Sequence, residues 1–287
     1  METDERSLTD VLRYSAFTDD PAGGNPAGVV LDASGLDDPA MLALAAEVGY
    51  SETAFITGRD DDERRFRLRF FSPLAEVPFC GHATVATAVA LAERMGPGEL
   101  VFDTPAGEIT VATSAEEGAV TATLTSVETR SRPAREDELT EALTALRWSR
   151  DDLDPGFTPH VAFGGVEHLV LAAASRARLA DLDYDFDGLA EVMGRHGWTT
   201  VQLVWRETQD RFHARDPFPV GGVVEDPATG AAAAAFGGYL LTTGLVREPS
   251  TIAIRQGEDM GRPSDLLVHL DPADARVRVT GRAVPII

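Results

Sequence analysis

Two stretches of the chain are long runs of small residues that contain no acidic or arginine side chain. The first begins at Cys80-Gly81-His82 and continues as Ala, Val and Thr to about Ala92, and the second begins at Thr229-Gly230 and ends near Thr243. A helix that is apolar on every face must be covered on every face. The pattern therefore predicts two buried helices, and their Ala side chains allow strands to approach closely.

The elements that follow the first helix are repeated, weakly, after the second. Gly81 and Gly230 open the two helices 149 residues apart, and the turn glycines Gly107 and Gly257 are 150 residues apart. Strand patterns flank the two turns, at Glu99–Asp103 and Glu108–Thr113 in the first copy and at Thr251–Arg255 and Leu266–Leu270 in the second. Two copies in register predict a duplicated protein with two lobes.

The strand patterns are short and separated by Gly and Pro, which is typical of mixed, largely antiparallel sheets. We therefore predict an α+β fold with two pseudo-symmetric lobes, each a mixed, mostly antiparallel sheet wrapped around its central buried helix. The N-terminal lobe is expected to span residues 1–128, and the C-terminal lobe residues 129–275. The alternating pattern of residues 276–287 predicts a last strand that returns to the first lobe.

Two other segments, Glu136–Leu146 and Phe186–His196, have the pattern of amphipathic surface helices, and a further helix is predicted at about Pro39–Val48. Two polar or Pro-containing stretches, Asp151–Pro159 and Arg211–Val220, are interpreted as loops that form the walls of a pocket.

The composition excludes several classes of partner. The chain has 287 residues, with 47 Asp and Glu against 25 basic residues, so its net charge is −22 and its pI is near 4.5. Such a surface repels phosphate backbones and anionic lipids, and no nucleic-acid or membrane partner is expected. A small anionic substrate remains compatible with this charge, because a helix N-terminus forms a local anion site.

Residue counts also limit the chemistry. The chain has no lysine, which excludes a lysine Schiff base, pyridoxal phosphate and a P-loop. It has one cysteine, and its six histidines show neither an HExxH pair nor other metal-ligand spacing. GxGxxG and GxSxG motifs are absent from the sequence as well. We therefore expect neither a cofactor nor a metal.

Two stretches bear on location. Residues 1–10 are polar and acidic and lack the features of a signal peptide. The uncharged stretch 227–246 consists mostly of Ala, Gly and Thr, which have little tendency to enter lipid. A cytoplasmic protein is the expectation.

The starts of the two buried helices are candidate anion sites. Unpaired backbone N–H groups and the positive end of the helix dipole attract a carboxylate there, and two pseudo-symmetric starts would face each other. Ordinary capping is the alternative interpretation, with Asp226 capping the second helix and Pro227 in its first turn.

Three side chains of the first half of the chain are candidates for chemistry. Glu52 lies where a helix passes into an apolar strand, a position suited to a general base and acid, although a solvated turn glutamate has the same pattern. His82 is interpreted as a group that orients the substrate or relays a proton, or as a histidine bonded to a nearby loop. Cys80 is either a thiolate activated by the helix dipole or a small buried residue.

These motifs together resemble the PhzF-like proteins, the phenazine-biosynthesis isomerase family, which have the diaminopimelate-epimerase fold. The matching segments run in order along the chain: Ala16–Thr18, Gly24–Val30, Ser51–Phe55, Phe71–Pro73, Glu76–Thr84, Val224–Ala231, Gln256–Glu258 and Gly261–Ser264.

The resemblance implies a cofactor-free isomerase that is a homodimer and has its active site in the cleft between two lobes. It implies that Glu52 is the acid and base that moves a proton between substrate carbons. His82 and Asp226 would hold or polarise the substrate, and the helix-end amides near Gly81 and Gly230 would bind its carboxylate. The expected substrate is therefore a small carboxylate-bearing molecule.

Cys80, Thr229 and Ala231 are expected to contact the substrate, and they are also where the chain departs from its relatives. The phenazine enzyme has serine at the position of Ala231 and alanine at the position of Cys80. In the related two-cysteine epimerases a thiol occupies the position of Cys80, and the second thiol would fall at Thr229. A two-thiol racemase is therefore excluded.

Two alternatives remain open from the sequence. The first is an epimerase, racemase or dehydratase that uses Cys80 together with Thr229 or Glu52. The second, from another class, is a small-molecule binding protein that keeps the cleft without turnover.

Overall fold

The computed structural model describes residues 10–116 and 118–287. Helices and both parallel and antiparallel strand pairs are present, so the α+β prediction is confirmed. The chain divides into two compact units. Unit 1 contains the described residues up to Pro21 together with Pro26–Ala122 and Arg282–Ile287, and unit 2 contains Ala22–Asn25 and Thr123–Gly281.

The elements of the first unit alternate strands with two helices. They are β1 (Leu12–Ala16), β2 (Asn25–Val30), α1 (Asp38–Val48), β3 (Glu52–Asp60), β4 (Arg65–Phe71), β5 (Glu76–Val77), α2 (Gly81–Met95), β6 (Gly98–Thr104), β7 (Gly107–Glu116) and β8 (Ala119–Glu128), of which β8 continues into the second unit. Asp37 caps α1 by accepting a hydrogen bond from the Ala40 N–H at 2.9 Å, and Gly49 ends that helix in the left-handed conformation.

The second unit contains most of the remaining elements. They are β9 (Arg130–Pro133), α3 (Glu136–Leu146), β10 (His160–Phe163), β11 (Glu167–Ala172), α4 (Arg176–Ala180), α5 (Phe186–His196), β12 (Trp198–Arg206), β13 (Arg211–Phe218), β14 (Val223–Asp226), α6 (Gly230–Thr242), β15 (Ser250–Gln256), β16 (Ser264–Leu270) and β17 (Arg276–Pro285). The end of β17 belongs to the first unit, where Ser15 of β1 pairs antiparallel with Val284.

The prediction of a loop at Arg211–Val220 is wrong. Its first eight residues form strand β13, which pairs antiparallel with β12 and β14 and parallel with β15. The strand accommodates Pro217 because the register with β14 shifts between Pro217 and Phe218. Proline is tolerated at such an irregularity, since no regular ladder hydrogen bond is lost there.

The two units repeat one order of strand pairings. In the first, β2 and β3 are parallel, β3–β4 and β4–β5 are antiparallel, and after α2 the strand β6 pairs parallel with β4 and antiparallel with β7. In the second, β11–β12, β12–β13, β13–β14, β13–β15 and β15–β16 follow the same series, with α6 in the place of α2. The spacing of glycines along the sequence therefore corresponds to a repeated topology.

Helix α2 is buried along nearly its whole length. Every residue from His82 to Ala92 is buried, and the helix contacts β1, β3 and β7. Its two buried threonines donate to backbone carbonyls one turn earlier, Thr84 to Cys80 at 2.7 Å and Thr87 to Ala83 at 2.8 Å. These bonds satisfy hydroxyl groups that would otherwise be costly to bury.

Helix α6 is buried in the same way and contacts strands β9, β10, β11 and β16. Two of its glycines leave room for neighbours. A Cβ on Gly237 would lie 2.7 Å from the Leu270 side chain, and one on Gly238 would lie 2.3 Å from the Thr129 hydroxyl. Close packing therefore explains this Gly pair.

Among the described residues, no helix has both the length and the apolar character needed to span a bilayer. Residues 1–9, which carry the expectation about a signal peptide, lie outside the described residues.

A polar group is buried in the interior of the second unit. Asp216, His168 and Thr200 are each 1% exposed or less, and the Thr200 hydroxyl lies 2.8 Å from His168 Nδ1 and 3.4 Å from an Asp216 oxygen. Burial lowers the pKa of His168 to about 3. Burial raises the pKa of Asp216 well above its usual range, and the neighbouring Asp226 carboxylate acts in the same direction.

This buried carboxyl group makes a contribution to stability that depends on pH. Because folding raises the pKa of Asp216, its contribution to the free energy of unfolding falls as pH rises above the unfolded value of about 4. Asp216→Asn removes that titration. We expect the stability of the variant relative to wild type to increase between pH 4 and pH 7, by about 1 kcal/mol or more, in urea unfolding at a series of pH values. Asp62→Asn, at an exposed turn, is the control. If the free energy of unfolding of Asp216→Asn changed with pH in parallel with that of wild type, the prediction would be contradicted.

Candidate active site

Three side chains of the first unit that the sequence singled out lie together. Glu52 is the first residue of β3, where it pairs with Ala27 of the parallel strand β2. Cys80 has an extended backbone and directly precedes α2, and His82 is the second residue of that helix. The start of one strand and the start of the buried helix therefore bring a carboxylate, a thiol and an imidazole to one place.

Their donor and acceptor atoms are in mutual contact. The Cys80 Sγ lies 3.5 Å from Glu52 Oε2, 3.3 Å from His82 Nδ1 and 3.7 Å from His82 Nε2. The His82 Nε2 lies 3.4 Å from Glu52 Oε2. We refer to these three residues as the Glu–Cys–His cluster. The hydroxyl of Ser51, 3.4 Å from His82 Nε2, adjoins it.

The cluster differs in exposure from one member to the next. The side chain of His82 is 7% exposed and that of Glu52 is 18% exposed, while Cys80 as a whole is 8% exposed. Glu52 is therefore the member that a dissolved molecule meets first. His82 and Cys80 are more deeply buried, and each has an atom within 3.5 Å of the Glu52 carboxylate.

The N-terminus of α2 supplies the local electrostatics. The first N–H groups of a helix have no partner within the helix, and the helix dipole places partial positive charge there. Gly81, the first residue of α2, is half-buried, and a Cβ built on it would come no closer than 4.0 Å to the Phe79 ring. This end of the helix suits a carboxylate or another anion.

The second unit contains a separate polar network around Asp226, the last residue of β14. One carboxylate oxygen accepts a hydrogen bond from Asn25 Nδ2 at 2.8 Å, and the other accepts one from the Thr229 hydroxyl at 2.6 Å. Gln256, at the end of β15, donates to the Thr229 hydroxyl at 3.0 Å and accepts from the Thr229 N–H at 3.1 Å. We refer to these residues as the Asp226 network.

The interpretation of Asp226 as a helix cap is wrong. Helix α6 begins at Gly230, and Thr229, not Asp226, is the residue at its N-cap position. Pro227 therefore precedes the helix and does not lie in its first turn. Gly230 and Ala231 are the first two helical residues, and both are partly exposed.

Sequence reasoning gave no role to three residues that build these surroundings. Ser51 contacts His82, Asn25 donates to Asp226, and Gln256 orients Thr229. All three lie in segments that carry the family resemblance. A polar side chain next to a Gly or Pro turn is the signal that could have identified Asn25 and Gln256.

Comparison with known proteins places the chain in a family. The model of a family described as phenazine biosynthesis-like protein matches residues 14–287. An uncharacterized isomerase of Mesorhizobium japonicum is 34% identical, with 96% of each chain covered. The trans-2,3-dihydro-3-hydroxyanthranilate isomerase of Pseudomonas aeruginosa is 31% identical, over 91% of this chain and 90% of that one.

Solved structures agree in fold. A PhzF-family phenazine biosynthesis protein of Bacillus anthracis has a TM-score of 0.85 at 24% identity, with 96% of each chain covered. A probable proline racemase of Agrobacterium radiobacter has a TM-score of 0.69 at 13% identity, over 96% of this chain and 90% of that one. At these identities the likeness extends to the fold alone. From the family match and the curated relatives, the chain belongs to the phenazine biosynthesis-like protein family and is an isomerase.

Proposed function

We propose that the protein is a cofactor-independent isomerase that moves a proton between carbon atoms of a small carboxylate-bearing substrate. Glu52 removes the proton from one carbon and returns it to another on the same face. The observation that carries this proposal is the arrangement of the Glu–Cys–His cluster, in which the most exposed member is a carboxylate with an imidazole and a thiol within 3.5 Å.

Removal of a carbon-bound proton needs a base and a means of stabilising the negative charge that develops. Glu52 is the base. His82, 3.4 Å from Glu52 Oε2, positions the carboxylate or passes a proton to it. The free N–H groups at the start of α2, near Gly81, bind the substrate carboxylate and stabilise developing negative charge. Cys80 lines the same surface.

For the second unit we propose the role that the family resemblance implies, in which Asp226 holds or polarises the substrate. Asn25 and Thr229 both donate to its carboxylate, which fixes the orientation of both oxygen atoms. Gly230 would provide a second helix-end amide, and Thr229 and Ala231 would contact the substrate. Ala231 lacks a hydroxyl, so the substrate is expected to differ from that of the phenazine enzyme where serine contacts it.

The reaction class has a direct test in Glu52→Gln. Proton NMR in D2O on a panel of small amino acids and dihydroaromatic acids is expected to show deuterium incorporation or a shifted double bond with wild type. Gln is nearly isosteric but is no base, so the rate should fall by about 10²–10⁴-fold. Exposed Glu63→Gln is the control and should retain the wild-type rate. Exchange at the wild-type rate in Glu52→Gln would contradict the proposal.

A second candidate reaction, thiol-based epimerase or dehydratase chemistry, is favoured by one distance. Cys80 Sγ lies 3.3 Å from His82 Nδ1, within reach for thiolate formation. In that case Cys80→Ala abolishes turnover. Under our proposal Cys80→Ala changes the exchange rate by less than about tenfold, or about 1.4 kcal/mol in the barrier. Loss of exchange in Cys80→Ala with retention in Glu52→Gln would establish the thiol mechanism instead.

The homodimeric state and the cytoplasmic location stay predictions. Sedimentation of the purified chain at several concentrations measures the first of these.

A further inference from the structure

We infer that Glu52, Cys80 and His82 form a three-ligand binding site for Zn²⁺ with an open fourth position. The three residues are all in the first unit and include one sulfur, one nitrogen and one oxygen donor. Each of these donors is an ordinary zinc ligand, and three protein ligands with one open position are typical of zinc sites accessible to small molecules.

The spacing of the donor atoms fits this metal. Bond lengths of about 2.0–2.3 Å in tetrahedral geometry place the ligand atoms about 3.3–3.6 Å from one another. In the cluster, Glu52 Oε2 lies 3.4 Å from His82 Nε2 and 3.5 Å from Cys80 Sγ. The third edge, from Cys80 Sγ to His82 Nε2, is 3.7 Å. The three donor atoms therefore form a nearly equilateral triangle of the right size. Because Cys80 Sγ lies nearer to His82 Nδ1, at 3.3 Å, than to Nε2, the imidazole ring must also turn to direct the Nε2 lone pair at the ion.

The backbone holds two of the ligands in place. Cys80 directly precedes α2 and His82 is the second residue of that buried helix, so neither Cα can move far without displacing the helix. A pre-arranged site lowers the entropy cost of collecting ligands.

The fourth position faces the side from which Glu52 is reached, because Glu52 is the most exposed of the three side chains. Water or a substrate carboxylate is the expected fourth ligand there. A zinc ion on Glu52 Oε2 occupies the lone pair that accepts the proton. Zn²⁺ is therefore an inhibitor of the proposed isomerase, and this consequence alone rests on the proposed function.

The second unit offers a matched control cluster. His213 lies 3.4 Å from Glu207 through Nε2 and 3.1 Å from Glu258 through Nδ1. Its two carboxylates contact opposite nitrogens of one ring, so a single metal ion cannot use both contacts. His213→Ala thus removes a histidine next to carboxylates without touching the proposed site.

Cobalt(II) provides a readout that does not depend on activity. Cys80 is the only cysteine of the chain, so a thiolate-to-cobalt charge-transfer absorption can come from no other residue. Titration of the untagged, metal-free full chain with Co²⁺ is expected to produce this absorption at one equivalent, and Zn²⁺ should displace it. Absence of the absorption up to millimolar Co²⁺ would overturn the inference.

Variants distinguish metal binding by all three ligands from metal binding by the Cys80 thiol alone. Glu52→Gln and His82→Gln should each weaken Co²⁺ binding by at least about tenfold, since even changes in residues behind the ligands typically cost 10–100-fold. His213→Ala should leave the affinity unchanged. Equal affinity in wild type, Glu52→Gln and His82→Gln would overturn the site. X-ray absorption on zinc-loaded wild type needs no variant, and a spectrum without one sulfur neighbour at about 2.3 Å would overturn it as well.

Measuring deuterium exchange with and without Zn²⁺ distinguishes the proposed isomerase activity from the proposed metal site. Zn²⁺ should abolish deuterium exchange, and a chelator should restore it. If no substrate of the panel exchanges, the cobalt absorption still decides the metal site. If Zn²⁺ binds to the cluster but leaves exchange unchanged or increases it, the inhibitory role is contradicted.

Discussion

Burial of two helices made almost wholly of small side chains is the constraint on which the rest of the protein depends. In α2 every residue from His82 to Ala92 is buried, whereas Gly81 at its start is only half-buried. Within the helix the backbone N–H and C=O groups are hydrogen-bonded to one another, but the first N–H groups have no helical partner. The start of the helix is thus the place where unpaired donors and positive potential meet the surface. The candidate functional side chains of the first unit, Glu52, Cys80 and His82, lie at that point.

Exposure gives the members of the Glu–Cys–His cluster different roles. A carboxylate at the front, with an imidazole and a thiol behind it, can accept a proton from an approaching carbon acid while remaining hydrogen-bonded on its protected side. The same arrangement underlies the proposed metal site, because the carboxylate, imidazole and thiolate lone pairs that accept protons can also bind Zn²⁺. In the two proposals, proton transfer and zinc binding would use the same oxygen atom, Glu52 Oε2.

The sequence was informative where composition left few choices. An uncharged stretch of Ala, Gly and Thr between polar segments indicates a buried helix, and α2 and α6 begin where Gly81 and Gly230 indicated. The repeated spacing of glycines corresponded to a repeated order of strand pairings. These predictions depended only on the local residue pattern and on the spacing of the repeated segments along the chain.

Other features depended on contacts between distant residues and could not be predicted. Arg211–Phe218 is a strand, because a register shift accommodates Pro217, and that shift is set by the partner strand β14. Asp216 is buried although nothing in its own segment signals it, and its pairing partner Asp226 belongs to another strand, β14. Local pattern does not group Glu52 with Cys80 and His82, because 28 residues separate Glu52 from Cys80. Only the family resemblance assigned Glu52 and His82 to one site.

The central claim is that Glu52 carries one proton from one carbon to another. It is tested most directly with a substrate deuterated at the carbon that loses the proton and converted in ordinary water. With a single, partly shielded base, we predict that the product from the first turnovers carries part of the deuterium at the accepting carbon, and that Glu52→Gln forms no such product. Complete loss of deuterium to solvent in wild type, together with an undiminished conversion rate in Glu52→Gln, would contradict the account.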